Sequence, residues 1–150
     1  MTDMADITIR DYQTDDEEAV ISLWHETGLY RPWNHPVLDI NRKSTELERG
    51  GTGAFWVAER QGVIIGSVMV GYDGHRGVVN YLAVRPSYQG QGVGAELMKR
   101  AERLLFDAGC PKINLLVRRD NHAITSFYHA IGYGEDEVVA LSKRLQEDPE

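Results

Sequence analysis

Residues 78 to 95 carry the types and spacing that could do chemistry: Val78-Val79-Asn80-Tyr81-Leu82-Ala83-Val84, then Arg85-Pro86-Ser87-Tyr88, then Gln89-Gly90-Gln91-Gly92-Val93-Gly94-Ala95. The apolar run predicts a buried strand, and the glycines predict a turn whose last amides become the free N–H groups of a helix N-terminus. Such a terminus holds several unpaired donors and the positive end of the macrodipole, so it suits an anion, above all a pyrophosphate. Gly90, Gly92 and Gly94 let a ligand approach the backbone without a Cβ in the way. Val93, Leu97, Met98, Ala101, Leu104, Leu105 and Ala108 recur at helical spacing, and Gly109 and Pro111 stop the helix.

Two other readings of the glycines compete. A tight strand-to-helix turn with no ligand needs nothing more than glycine's conformational freedom. Gly90-x-Gly92-x-x-Ala95 also fits the dinucleotide-binding expression. That fingerprint should follow its strand at once, with an acidic residue about 20 positions on. Here five residues separate Val84 from Gly90, and Asp120 lies too far along.

The rest of the chain must position this turn. Ile7 to Arg10 alternates as a short strand, and Thr14-x-x-Glu17 reads as a capping box. A helix with Ala19, Val20, Leu23, Trp24 and Thr27 on one face ends at Gly28. The aromatic stretch Leu29 to Pro36, broken by Pro32 and Pro36, reads as a loop, and Val37 to about Arg49 as a second helix. Ala54 to Arg60 and Val63 to Tyr72 form a hairpin about Gln61-Gly62, and Asp73 to Gly77 turns into the central strand. Lys112 to Val117 should be a strand parallel to it. Asp120 or Asn121 caps a helix with Ala123, Ile124, Phe127, Tyr128 and Ile131 on its face, Glu137 to Arg144 reads as a last strand, and Gln146 to Glu150 as a frayed tail. The order βααβββαβαβ describes a mixed α/β sheet whose ligand site lies beyond the ends of its parallel strands.

A chain of 150 residues is most simply one domain. Met1 to Asp6 is acidic and lacks an apolar core, so no signal peptide is expected, and no apolar run reaches the length of a membrane span. The lone Cys110, between Gly109 and Pro111, forbids an internal disulfide and fits a reducing, cytoplasmic setting with a structural role. The net charge of −7 argues against a nucleic-acid partner. Residues 85 to 119 nevertheless hold seven basic side chains against three acidic ones, which suits a polyanionic cofactor, while the acidic remainder suits a cationic acceptor.

Gln89-x-x-Gly92-x-Gly94 behind a strand ending in Val-x-Pro resembles the acyl-CoA signature of the GNAT superfamily of N-acyltransferases. The element order resembles the GNAT fold over about residues 7 to 145. That resemblance implies a splayed parallel strand pair with the pantetheine arm of acetyl-CoA between its strands. Backbone groups of Leu82, Ala83 and Val84 would hold the arm, and the amides of Gln89, Gly90, Gln91, Gly92, Val93, Gly94 and Ala95 the pyrophosphate. Asn121 and Tyr128 match the family's Asn-x6-Tyr pattern, which implies a cofactor contact for Asn121 and a general-acid role for Tyr128. Ile124 departs from the small residue usual there. Further stretches resemble the bacterial YpeA-type acetyltransferases: Arg31-Pro32-Trp33-Asn34-x-Pro36, Asp39-Ile40-x-Arg42-Lys43, Gly71 to Gly77, Gly109 to Ile113, and Lys143-Arg144-Leu145.

The implied reaction is acetyl transfer from acetyl-CoA to a primary amine of a small molecule or protein, with no metal. A non-catalytic acyl-CoA-binding module is the alternative, and a homodimer stays open. A lysine-like amine is neutral to only about one part in a thousand near pH 7.4, so some group must take its proton. Glu26, Glu59, Asp73 and His75 are the candidates, and no spacing chooses among them. Tyr128 could equally be a core aromatic. Trp24, Tyr30 and Trp33, with Asp73 and His75, would line the acceptor groove, or the first three would be ordinary packing. His75 could be an exposed turn residue, and Arg31 and Arg42 surface charges.

Overall fold

The structure, a computed structural model, describes residues 4–31 and 33–149. The proposed first loop proline, Pro32, lies outside the described residues, as do Met1 to Asp3 of the acidic N-terminus and the terminal Glu150. The chain divides into two compact units, one holding the residues up to Asn114 together with those from Asp148, the other Leu115–Glu147.

The first unit is built on a five-stranded sheet. Its elements are β1 (Ile7–Asp11), α1 (Glu17–Glu26), α2 (Pro36–Glu48), β2 (Gly53–Arg60), β3 (Val63–Tyr72), β4 (Gly77–Val84), α3 (Val93–Asp107) and β5 (Ile113–Asn114). Spatial order follows chain order, antiparallel throughout except for the parallel pair β4·β5. The geometric centre is therefore β3, buried from Ile64 to Gly71, and β4 is its inner neighbour.

Consecutive strand residues point to opposite faces, and two neighbours on β3 show what covers each. A Cβ on Gly66 would lie 3.3 Å from Leu97 of α3, while the Ser67 hydroxyl accepts from the indole of Trp24 on α1. On the α1 side Val20, Leu23, Trp24, Ile40, Phe55, Val57, Ile64, Met69 and Ala83 form one cluster. On the α3 side Gly77 admits a close approach. A Cβ there would meet Leu105 Cδ1 at 2.8 Å and Cys110 Sγ at 3.0 Å. Cys110 also donates to the Lys112 carbonyl, consistent with a structural role for the lone thiol.

Four expectations are corrected. Thr14 does not cap α1; it begins a 3-10 turn, Thr14–Asp16, in which Asp16 reaches back to the Gln13 amide at 2.8 Å. Asp16 is preferred there because Arg10 grips it through two nitrogens, an ion pair that local spacing does not reveal. The strand expected over Lys112 to Val117 is only Ile113–Asn114, and Glu137 to Arg144 forms no strand. A strand exists only as part of a ladder, and no described residue pairs with this segment, which leaves Val138, Val139 and Leu141 76–90% exposed. Asp148, expected in a frayed tail, has a side chain only 3% exposed.

The second unit contains α4 (His122–Ala130), capped by Asn121, whose side chain accepts from the Ile124 amide. Tyr128 is buried, with its ring edge-on to Phe127 and Tyr133.

Ser67 is wholly buried and carries two hydrogen bonds: from Trp24 Nε1 at 2.9 Å, and to the Tyr81 carbonyl at 2.8 Å. Ser67→Ala strands a buried N–H and a carbonyl. Unfolding in urea should show a loss of about 1–3 kcal/mol, and an unchanged midpoint would show that neither bond matters.

Candidate active site

β4 does not run straight. Gly66, Ser67 and Met69 pair with Val84, Ala83 and Asn80, so Tyr81 and Leu82 together stand opposite Val68. This is a β-bulge, and it reverses the side-chain parity of everything before it. By period two, residues 77, 79, 81 and 83 would share a face. Gly77 in fact abuts α3, whereas Tyr81 stacks on Trp24 at 3.9 Å and Ala83 joins the α1-side cluster. Tyr81 takes φ 54, a left-handed conformation costing a non-glycine residue roughly 1–2 kcal/mol. Its hydroxyl donates to Asp39 Oδ2 on α2, and burial, with that carboxylate second, pushes its pKa up.

Beyond β4 the chain makes a 3-10 turn, Pro86–Tyr88, then passes Gly90 and Gly92 at φ +76 and +92 before α3 begins. A Cβ at either glycine would meet nothing within 4 Å, so glycine is required there by backbone conformation and the space above it is open. Gly92 is the N-cap and brings no side-chain cap; the first intrahelical bond is Glu96 N–H to the Gly92 carbonyl. The opening turn of α3 thus offers backbone donors to open space, which fits a phosphate-bearing group. Gln89 and Gln91 shape the turn, their amide groups donating to the Val84 and Ser87 carbonyls. Val93 and Gly94 are buried in the first turn of the helix.

The acid–base candidates are mostly committed elsewhere. Glu59 is held by Arg10 at 2.9 Å, and Glu26 by Arg85 at 2.5 Å. Asp73 accepts from the Arg76 and His75 amides, which hold its carboxyl below the usual range. Burial raises Tyr128 to about 12, so its phenol keeps its proton at neutral pH. Of the acceptor-groove residues, Trp24 has its side chain fully buried in the core, stacked on Tyr81, and its carbonyl accepts from the Tyr30 amide at 3.2 Å. Tyr30, stacked on His25, is 37% exposed and Trp33 47% exposed, while His75 lies in the exposed Asp73 turn.

Sequence reasoning passed over Asp39. It is linked to Arg42 at 3.1 Å as well as to Tyr81, and Arg42, read as a surface charge, also grips Asp148 at 2.7 Å. The i, i+3 spacing of Asp39 and Arg42 was the available signal. No group of His, Cys, Asp and Glu among the described residues could hold a metal, and no described helix is long and apolar enough to cross a membrane.

The family model of the acetyltransferase (GNAT) family matches residues 9–133. The chain belongs to that family. An acetyltransferase of Sodalis glossinidius is 48% identical over 143 residues, covering 95% of this chain and 98% of the relative. One from Pectobacterium atrosepticum is 47% identical over 142 residues, with the same coverages of 95% and 98%. Among solved structures, an aminoglycoside N-acetyltransferase in complex with CoA superposes with TM-score 0.75 at 19% identity, over 93% of this chain and 95% of that one. The PaiA N-acetyltransferase of Thermoplasma acidophilum, in complex with coenzyme A, gives TM-score 0.75 at 19% identity over 89% and 92%. This GNAT chain is therefore an acyltransferase, and its glycine turn has open space beside it.

Gly92→Glu places a strained side chain and a negative charge at the mouth of that turn. Calorimetry on the folded variant should show CoA affinity reduced beyond detection. Unaltered affinity would remove the turn from the binding site.

Proposed function

We propose that this protein transfers an acetyl group from acetyl-CoA to a primary amine of a small molecule or a protein, by direct attack on the thioester. The observation that carries the reading is the sequence of a bulged β4, two left-handed glycines and the uncapped start of α3. The names of the relatives, all acetyltransferases, support the acetyl group.

Acetyl-CoA supplies an activated acyl thioester. The amides from Gln89 to Ala95 hold its pyrophosphate, and the backbone of Leu82, Ala83 and Val84 holds its pantetheine arm as an added strand. A bulge suits that end of β4, because it takes a residue out of the ladder and leaves backbone groups to be satisfied by something else. Asn121 spends its carbonyl oxygen on capping α4, so its amide nitrogen is the group that would donate to the cofactor. Tyr128 gives its proton to the departing thiolate. Its phenol, raised to about 12 by burial, carries that proton at neutral pH.

The acceptor lies toward the exposed Tyr30 and Trp33 and the Asp73–His75 turn. Trp33 supplies apolar wall, and Asp73 supplies negative charge for a cationic amine. Because Asp73 accepts amide hydrogen bonds, its charge can be removed without uncapping the turn: an asparagine oxygen accepts the same bonds.

Tyr128→Phe should lower kcat by about 10²–10⁴-fold in single-turnover assays while leaving CoA affinity nearly intact. Full activity would make Tyr128 a packing residue. Against a panel of amines, Trp33→Ala and Asp73→Asn should raise KM for the acceptor and keep acetyl-CoA affinity within about twofold, below roughly 0.5 kcal/mol. Loss of cofactor binding with unchanged amine kinetics would put the acceptor elsewhere.

A further inference from the structure

The end of the chain is fastened to β4 by a run of four side chains. Asp148 accepts from the His35 backbone amide at 3.2 Å and from both terminal nitrogens of Arg42, at 3.1 and 2.7 Å. The same Arg42 nitrogen that reaches Asp148 at 3.1 Å donates to Asp39 Oδ1 at 3.1 Å. The other oxygen of Asp39 accepts the Tyr81 hydroxyl. Each link uses a different atom of its residue or a shared guanidinium, so the run is continuous from the tail to the bulge.

What it ends on is the strained point of the sheet. Tyr81 and Gln61 are the two non-glycine residues with positive φ among those described, and Gln61 sits in a hairpin turn where that is ordinary. Tyr81 is inside a strand. A conformation of that kind persists only where its surroundings over-determine it. Three restraints act on Tyr81: the stack on Trp24, the Ser67 hydroxyl on its carbonyl, and Asp39 on its hydroxyl. The first two come from the core. The third is set by charges, and it depends on where Arg42 points. Arg42 is 49% exposed, while the Asp148 carboxylate that it grips is 3% exposed. Without that buried anchor the guanidinium is left with one neighbour on its own helix and the freedom of an exposed side chain.

We infer that Asp148, acting through Arg42 and Asp39, is a positioning residue for the Tyr81–Leu82 bulge. The last residues of the chain thereby belong to the catalytic apparatus without touching substrate. This rests on the proposal that acetyl-CoA lies along the bulged end of β4, since only then does the geometry of Tyr81 govern the reaction.

The test uses Asp148→Ala, a chain ending at Glu147, Asp39→Asn, and the double variant Asp39→Asn/Asp148→Ala, each first shown to be folded. The protein is labelled with tyrosine carrying carbon-13 at Cζ, and the Tyr81 resonance is the one absent from Tyr81→Phe. Both tail variants should move that resonance in the same direction as Asp39→Asn. They should lower kcat roughly 10- to 100-fold, the scale of a small misplacement at a reacting centre, with CoA affinity within about twofold. The double variant should be no worse than Asp39→Asn alone, because residues in one chain of contacts are not additive. A tail that merely stabilises the fold would lower the unfolding midpoint with the Tyr81 resonance and kcat unchanged, or would give additive effects, and either result overturns the inference. Should the unaltered protein bind CoA but acetylate no amine, the proposed function fails by itself. The Tyr81 resonance then still decides the linkage: a shift in Asp148→Ala supports it and a fixed resonance refutes it.

Discussion

The arrangement depends on one buried contact, the stack of Tyr81 on Trp24 with Ser67 bonded to both. Trp24 donates to the Ser67 hydroxyl, which donates to the Tyr81 carbonyl, and the two rings lie 3.9 Å apart. This triangle joins α1, β3 and β4, and it fixes the extra residue that turns β4 over. Had β4 kept its parity, Tyr81 would have pointed into the closely packed α3 side, where even Gly77 has no room for a Cβ. The bulge therefore solves a packing problem and a positional one together. It sends the tyrosine toward α2, and it interrupts the ladder just before the strand delivers the chain to the glycine turn.

The glycine turn was legible from sequence because its determinants are local. Left-handed backbone at Gly90 and Gly92, the regular apolar stripe of α3 and the stop at Gly109 need no knowledge of the rest of the chain. The same holds for the Gln61-Gly62 hairpin, whose two residues both take positive φ. The bulge at Tyr81 was not legible. Neither glycine nor proline marks it, and its cause is a side chain 57 positions earlier, Trp24, together with Asp39 on another helix. Asp148 was unreadable for a like reason. A tail of Glu, Asp and Pro looks solvated by composition, and only the position of Arg42 on α2 gives one of its carboxylates a buried partner.

The errors over strands have a different physical origin. Lys112 to Val117 and Glu137 to Arg144 have strand-like composition, yet a strand is a relation between two segments and composition describes only one of them. Where β5 has a partner, at Ile113 and Asn114, the ladder forms; past Asn114 it stops. The carboxylate candidates could not be ranked from sequence for a similar reason. Glu26, Glu59 and Asp73 are equivalent in a sequence, all acidic and near turns or strand ends. In the fold they are an ion pair to Arg85, an ion pair to Arg10 and the cap of a turn. The amide hydrogen bonds that lower the Asp73 pKa also make that carboxylate a weaker base.

Charge counting pointed to a polyanionic ligand by a partly mistaken route. The basic excess between residues 85 and 119 suggested a positive cradle, but Lys99, Arg100 and Arg103 stand on the exposed face of α3, and Arg85, Arg103 and Arg118 each meet a carboxylate. The turn itself carries no charged side chain from Tyr88 to Ala95. What it offers a phosphate is a set of amide dipoles fixed by backbone conformation, effective within one helical turn. Beyond about 8 Å, the field of an acidic protein with net charge −7 is largely screened at physiological salt. A polyanion can therefore be held by a negatively charged protein, provided that its phosphates reach the amides. On the proposed reading, that condition puts the weight on the backbone geometry of Gly90 and Gly92.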